Sequence, residues 1–238
     1  MGRAMAEWEA RCRELLGNPA PSRISQQSLE EHVRAAVRRF SSDRPRIRTA
    51  DYPGNGSTFE LALPSDWVTG FSQVQAVEYP QGEREPVFLD LQEVVLYPPG
   101  TTPTVIRLTE TTPASGKTAR VYYSVPWPIP DANPATDLIP ATDFEAVASL
   151  AAAGGALELA GRTAGNKDPE MPGASAVDFR GESDRWRSLA RDLLRAYAQH
   201  MGAAEGGASS AAEAITDWDA RASWAETGRR FLLRWPRR

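Results

Sequence analysis

The stretch LPSDWVTGFSQVQAVEYPQGEREPVFLDL, from Leu63 to Leu91, decides how the chain is read. Gln73, Gln75, Val77 and Tyr79 alternate with Val74, Ala76 and Glu78, and after Pro80-Gln81-Gly82 the period of two resumes at Val87, Leu89 and Leu91. Side chains of a strand point alternately to its two faces, so this is a pattern of paired strands. Proline presets φ for a turn and glycine tolerates positive φ, which gives the reversal between Tyr79 and Val87 a mechanism. To either side the apolar spacing is helical. The first inference is a β module set into a helical frame.

Outward from that stretch, the period of two predicts short strands near 58–63, 73–79, 86–91, 93–97, 103–109 and 118–125. Pro98-Pro99-Gly100 and Pro113-Ala114-Ser115-Gly116 separate them. Regular spacing with one-sided alternation predicts a small antiparallel β-sandwich or barrel. Pro126 to Pro140 contains prolines at 126, 128, 130, 134 and 140 and reads as a linker out of it, because proline cannot extend a strand ladder.

Before the module, Met5, Trp8, Cys12, Leu15 and Leu16 fall at helical spacing, and Gly17-Asn18-Pro19 ends that helix. Ser25 opens a second helix, with Ile24 and Leu29 placed as a hydrophobic staple and Ser28 to Glu31 as an alternative capping box. Its apolar stripe is Leu29, Val33, Ala36, Val37 and Phe40, and Ser41 to Pro45 stops it. After the module, Thr142 to Glu145 is a capping box for a helix holding Phe144, Val147, Leu150, Ala151 and Leu157. Gly154 and Gly155 cost about 1 kcal/mol each against Ala inside a helix. Close packing on a partner helix would compensate; low complexity is the plainer reading. Gly165 to Ser175 reads as a loop before a long helix lined by Phe179, Trp186, Leu189, Leu193 and Tyr197 and stopping near Met201-Gly202.

The fold class is therefore α+β: N-terminal helices of a frame in 1–48, an inserted β domain in 49–130, two long C-terminal helices of the frame in 131–202, and an extended tail in 203–238. That tail opens on Gly/Ala/Ser-rich sequence and then turns aromatic, with Trp218, Trp224, Phe231 and Trp235 among Arg221, Arg229, Arg230, Arg234, Arg237 and Arg238. A segment too short to fold alone needs a surface on which to bury such residues, and Trp and Arg are enriched at interface hot spots. Two surfaces suffice for that: its own body, or a neighbouring subunit or partner. Trp218, Trp224, Arg229, Arg230, Phe231 and Trp235 are the candidate partner-binding residues.

Composition narrows the chemistry. The 238 residues are 41% hydrophobic and 24% charged, ordinary globular content. No run approaches the roughly 18 apolar residues of a membrane span, and Met1 onward lacks the apolar core of a signal peptide, so a soluble protein made inside a cell and without a membrane partner is expected. Cys12 stands alone, and with His32 and His200 as the whole histidine complement a zinc cluster has too few ligands; no metal or cofactor is expected. The net charge of −4 argues against a general nucleic-acid binder. All basic residues except Lys117 and Lys167 are Arg. That usage fits ion-pair and interface demands, and genome base composition explains it as well.

No nucleophile elbow, phosphate loop or dinucleotide fingerprint is present, and no enzymatic activity is expected. His32 falls on the polar side of its helix, and His200 at a helix end where it meets the dipole. Asp217 and Asp219 flank Trp218, but residues two apart do not face each other on a helix, so they do not form an acid/base pair. Arg180, Arg187, Arg191 and Arg195 recur along one helix face with Asp184 and Asp192 each three residues before an Arg. This is either a docking stripe for an acidic surface or phosphate backbone, or a solvated face laced with ion pairs.

Taken together, the N-terminal helix pair, the insertion carrying LPSDWVTGFSQVQAVEYPQGEREPVFL and then TVIRLTETTPASGKTARVYYSVPWP, and the return through DLIPATDFEAVASLAAAGGALELA resemble the head-tail connector (adaptor) proteins of tailed bacteriophages, over roughly residues 22–200. Val77-Glu78-Tyr79-Pro80 and Val121-Tyr122-Tyr123 are the suggestive motifs. The resemblance implies a non-enzymatic structural protein of the virion neck, assembled in the host cytoplasm. It would form a ring of copies, a dodecamer, beneath the portal protein, and continue the DNA channel toward a downstream neck or tail protein. DNA would pass without sequence-specific recognition. In such adaptors the helices build the ring, the β part lies outside and a C-terminal extension commonly reaches the portal. The size of the insertion and the Trp-rich tail depart from that pattern and leave open which surface meets which neighbour.

The competing class is a carbohydrate- or surface-binding virion component, a fibre or baseplate part, in which Trp67, Tyr79, Tyr97 and Trp127 form an aromatic platform; core packing is the ordinary use of such rings. A hydrolase finds no support in the His, Cys and motif inventory.

Overall fold

Ser25 shows how local chemistry sets the frame. Its Oγ accepts the N–H of Ser28 at 3.1 Å, and a free N–H in the first turn of a helix needs such an acceptor. Ile24 and Leu29, one on each side of that cap, are fully buried, which is the staple that the sequence predicts. In the computed structural model, which describes residues 2–99, 102–164 and 179–202 apart from the side chains of 179 and 180, this cap opens α2 (Gln26–Asp43). It follows α1 (Met5–Leu15), and α3 (Phe144–Ala164) and α4 (Phe179–His200) come after the β region. Asp143, not Thr142, is the residue whose carbonyl accepts the first helical bond of α3, from Val147 N–H at 3.0 Å.

Among the described residues, those up to Asp43 and those from Trp127 on form one unit, and Arg44–Pro126 forms a second. The architecture is thus α+β. In the helical unit, Trp8, Cys12, Leu29, Val33, Val37 and Phe40 meet Val147, Ala151, Ala152, Ala156, Leu159, Ala190 and Tyr197 in one core. By length and composition α3 is apolar enough to cross a membrane, contrary to the expectation that no run approaches this. Its apolarity comes largely from alanine and glycine, and most of its surface is buried against α1, α2 and α4.

Small residues let those helices approach. A Cβ on Gly154 would lie 2.7 Å from His32 Nδ1, and one on Gly155 would lie 3.0 Å from Leu16 Cδ1 and 3.2 Å from Ile24 Cδ1. Of the two sequence-level explanations for AAAGGAL, close packing is the one that the structure bears out.

The Pro126–Pro140 stretch is more than a linker. Trp127 and Ile129 pack on the helical core with Ile139 buried in it, Arg3 N–H donates to Asp137 Oδ2 at 3.0 Å, and Met5 N–H donates to the Asp131 carbonyl at 2.7 Å. Lacking ladder donors, the prolines keep this strap out of either sheet; Pro134–Thr136 forms a short 3-10 turn in it, capped by Asn133, whose side chain accepts Ala135 N–H.

The second unit contains two three-stranded antiparallel sheets. The first has the order β1-β6-β3, with β1 Arg46–Pro53, β3 Val74–Glu78 and β6 Thr118–Val125; the second has the order β2-β5-β4, with β2 Glu60–Ala62, β4 Val94–Tyr97 and β5 Val105–Leu108. Leu61, Ile106 and Leu108 of one sheet join Val77, Val121, Tyr123 and Val125 of the other in a single core, so the pair is a small sandwich.

Two sequence-level strands change. β1 was not expected, because RIRTADYP has no apolar alternation. It lies at a sheet edge with Ile47 exposed, held by register to β6 from Arg46↔Val125 to Pro53↔Thr118 and by a two-toothed Arg120–Asp51 pair at 2.7 and 2.9 Å. Conversely, 86–91 is not a full strand. The chain does reverse where expected, with Gly82 at φ 83°, Tyr79 N–H to Val87 carbonyl at 2.8 Å and Leu89 N–H to Val77 carbonyl at 2.9 Å. Only the bridge Glu78↔Phe88 forms, because Asp90 caps a short 3-10 turn, Leu91–Glu93, by accepting Gln92 N–H.

The α2–α3 contact generates a test. Helix propensity alone favours Gly→Ala by about 1 kcal/mol. At Gly161, where a Cβ would meet nothing within 4 Å, Gly161→Ala is expected to raise stability by about that amount, whereas Gly154→Ala is expected to lower it. Urea midpoints of the two variants check this, and a gain at Gly154 would contradict it.

Candidate functional site

Polar side chains set on the small-residue seam organise the helical unit. His32, on α2, places Nε2 2.8 Å from Glu158 Oε2; Ser28 Oγ donates to the same oxygen, and Arg162 pairs with the carboxylate from one turn on. Desolvation acts to raise the Glu158 pKa, but the hydrogen bonds from Ser28 and His32 and the Arg162 charge outweigh it and hold the carboxyl below its ordinary 4.5. His32 is therefore a half-buried cross-link between α2 and α3, not a side chain on an open polar face.

His200 also meets a carboxylate. Its Nε2 lies 2.8 Å from Oδ1 of Asp143, which is 1% exposed, so the end of α4 is tied to the start of α3. Tyr197 OH donates to Asp43 Oδ2 at 2.7 Å, and Arg39 Nε donates to the same oxygen at 2.9 Å. Desolvation first, then the Asp43 carboxylate, pushes the Tyr197 phenol up. Cys12 is fully buried with its thiol facing the Ala148 carbonyl at 3.7 Å, and burial pushes it up to about 12. Among the described residues no group of three or more His, Cys, Asp or Glu is placed to hold a metal ion.

The Arg stripe resolves toward the solvated reading. Arg187 sits 3.6 Å from Asp184 and Arg195 3.6 Å from Asp192, all four exposed; Arg191 is exposed as well. The Arg180 side chain lies outside the described set. Exposed i,i+3 pairs of this kind contribute about 0.2–0.5 kcal/mol each.

What the sequence did not disclose is a pocket of about 680 Å³ between the end of α1 and the outer side of α4. Leu15, Leu16, Trp186 and Leu189 supply its apolar wall, and Arg23, Glu182, Arg185 and Asp192 its charged rim. Arg23 pairs with Glu182 across it. Trp186 Nε1 is buried with no hydrogen-bond partner among the described residues. Trp186 and Leu189 read from sequence as core stripe; only the three-dimensional approach of the Gly17–Ala20 turn makes them a pocket wall.

Each ring of the expected aromatic platform is engaged within its own unit. Trp67 packs on Tyr123 at 6.0 Å inside the β unit, Trp127 packs on Phe40 at 5.9 Å in the helical unit, the Tyr79 oxygen accepts Ala114 N–H at 2.7 Å, and Tyr97 lies beneath the Arg107 guanidinium at 3.6 Å. The candidate partner-binding residues Trp218, Trp224, Arg229, Arg230, Phe231 and Trp235, and the Asp217 and Asp219 beside the first of them, lie outside the described residues.

No protein-family model and no curated protein matches the chain. Among solved structures it is similar to the neck of an empty gene transfer agent particle computed with C6 symmetry, at 17% identity over 78% of this chain and 89% of that one, TM-score 0.27. It is similar also to the neck of the native particle computed with C12 symmetry, at 19% over 67% and 81%, TM-score 0.25. A third is the virion of the native particle, at 18% over 78% and 89%, TM-score 0.25. Likeness at these values assigns no function.

The Glu158 cluster yields a pH test. A carboxyl whose pKa is lower folded than unfolded adds stability that is present above its ordinary 4.5 and is lost as pH falls through the folded value. Wild type is therefore expected to lose stability below about pH 4.5 more steeply than Glu158→Gln, which is expected to be about 1–2 kcal/mol less stable at pH 7. Denaturant titrations at pH 7, 4.5 and 3.5 check it; parallel curves would contradict it.

Proposed function

We propose that this chain is a structural component of a phage-like virion neck, a head-tail connector whose copies close into a ring under a portal and extend the DNA channel toward a tail. The observation that carries the reading is how the helical unit is built. The Trp127 N–H donates to Ser41 Oγ at 3.0 Å and the Trp127 ring packs on Phe40, so the chain leaves and re-enters the helical unit at one place. The β unit is thereby an insertion into a frame made from both sides of it, the plan on which the resemblance to adaptor proteins rests.

Ring closure asks for two different faces on each copy that meet by rotation. In this reading the helical unit supplies them, the β unit decorates or braces the frame, and the tail residues Trp218, Trp224, Arg229, Arg230, Phe231 and Trp235 anchor a copy to the portal or to its neighbour. Trp and Arg suit that role because they bury a large area while keeping a polar handle.

The test is particle mass in solution, with and without the portal of the same particle. Rings, or copies docked on the portal, are the expected result, and truncation after Gly207 is expected to abolish docking. A chain that stays monomeric with portal present would sink the connector role; undiminished docking of the truncated chain would sink the anchoring role alone.

A further inference from the structure

β1 ends its sheet, and the order β1-β6-β3 leaves one of its sides without a neighbouring strand. The parity of the ladder says which groups that side carries. Gly54 N–H donates to the Lys117 carbonyl at 2.7 Å, and these two residues continue the Pro53↔Thr118 register. In an antiparallel pair, residues bonded in this way alternate with residues whose N–H and C=O point away from the partner. Arg46, Arg48, Ala50 and Tyr52 therefore bond to β6, while Ile47, Thr49 and Asp51 turn their main-chain N–H and C=O outward. None of these three N–H groups has a hydrogen-bond partner among the described residues, and Ile47 is 46% exposed.

The outward row is symmetric about Thr49. Pro45 and Pro53 stand at equal distances to either side of it, at positions of the same parity, and neither has an N–H to donate. Laid antiparallel against a second copy with Thr49 opposite Thr49, the strand brings Ile47 opposite Asp51 and Pro45 opposite Pro53. Every outward N–H then meets a carbonyl of the same three residues, and the donor-less prolines bound the ladder together. Unmatched charge is what commonly guards an edge against such pairing. Here Arg48, which would stand diagonal to its own copy, is already paired with Asp66 at 2.8 Å, and Asp51 with Arg120 at 2.7 Å. Arg46 would come opposite Tyr52, whose ring face suits a cation.

We infer that the outer edge of β1 is a docking site for β1 of a second copy of this chain, which joins the two β1-β6-β3 sheets into one through a two-fold axis at Thr49. An edge of eight residues covers less than the roughly 1,200 Å² of a standard stable interface, so the pair is concentration-dependent. It does not rest on the connector reading. A two-fold contact closes on itself, whereas a ring is built from heterologous faces, and the pairing is a property of free copies.

The experiment uses the full chain without portal, in which native Cys12 is buried and does not compete. Thr49→Cys would set two thiols on Cα atoms about 5.5 Å apart, within disulfide reach. Ile47→Cys would set them about 14 Å apart along the strands. Under mild oxidation, Thr49→Cys is expected to give a disulfide-linked dimer in roughly tenfold higher yield than Ile47→Cys. Thr49→Pro removes the central bonds of the pair and none of the bonds from β1 to β6, so it is expected to weaken dimerisation about tenfold in sedimentation while the far-UV spectrum stays that of wild type. The inference is overturned by a Thr49→Cys chain that forms no dimer although its thiol reacts freely with maleimide, by equal yields from the two cysteine variants, or by dimerisation that Thr49→Pro leaves undiminished. Each of these results leaves the connector reading standing, and failure of portal docking leaves this inference standing.

Discussion

The close approach of α2 to α3 is the constraint from which the rest of the helical unit follows. Gly154 and Gly155 leave no Cβ in the seam, so His32, Leu16 and Ile24 can occupy that space. His32 then reaches Glu158, which Ser28 and Arg162 also hold. An apolar seam alone would let the helices slide. The fixed donors and acceptors set one register, and the small residues supply close contact over the whole face. The same helix carries Asp143 at its other end, where His200 closes the fourth helix onto it.

The β region has a core of its own. Its core residues come from its own two sheets, and the chain enters and leaves between Ser41 and Trp127. Two separate cores in one chain of 238 residues divide the work. The helical unit takes its shape from both flanks of the sequence.

Much of this was legible. The staple at Ile24 and Leu29, the Leu29–Phe40 stripe and the period of two in β5 and the first part of β6 each follow from one local rule, and the structure has them; β3 instead buries Ala76, Val77 and Glu78 in succession and shifts register between Val74 and Ala76. β1 was not legible, because an edge strand made of Arg46, Arg48, Thr49 and Asp51 owes its existence to β6 and not to its own pattern. The strap from Trp127 to Ile139 was misread for a related reason, since proline marks where ladders end but says nothing about where side chains pack. The pairings of His32 and His200 join residues 126 and 57 positions apart, and the pocket joins a turn near residue 17 to a helix beyond residue 180. No window of sequence contains either. The candidate anchoring residues lie outside the described residues.

The central claim is that the chain is a closed helical frame interrupted by a self-contained sandwich. The most direct measurement replaces residues 44–126 with a short Gly/Ser bridge between Asp43 and Trp127 and follows far-UV circular dichroism through thermal unfolding. The account expects a helical spectrum and a single cooperative transition. A chain that loses its helicity, or melts without cooperativity, would contradict it.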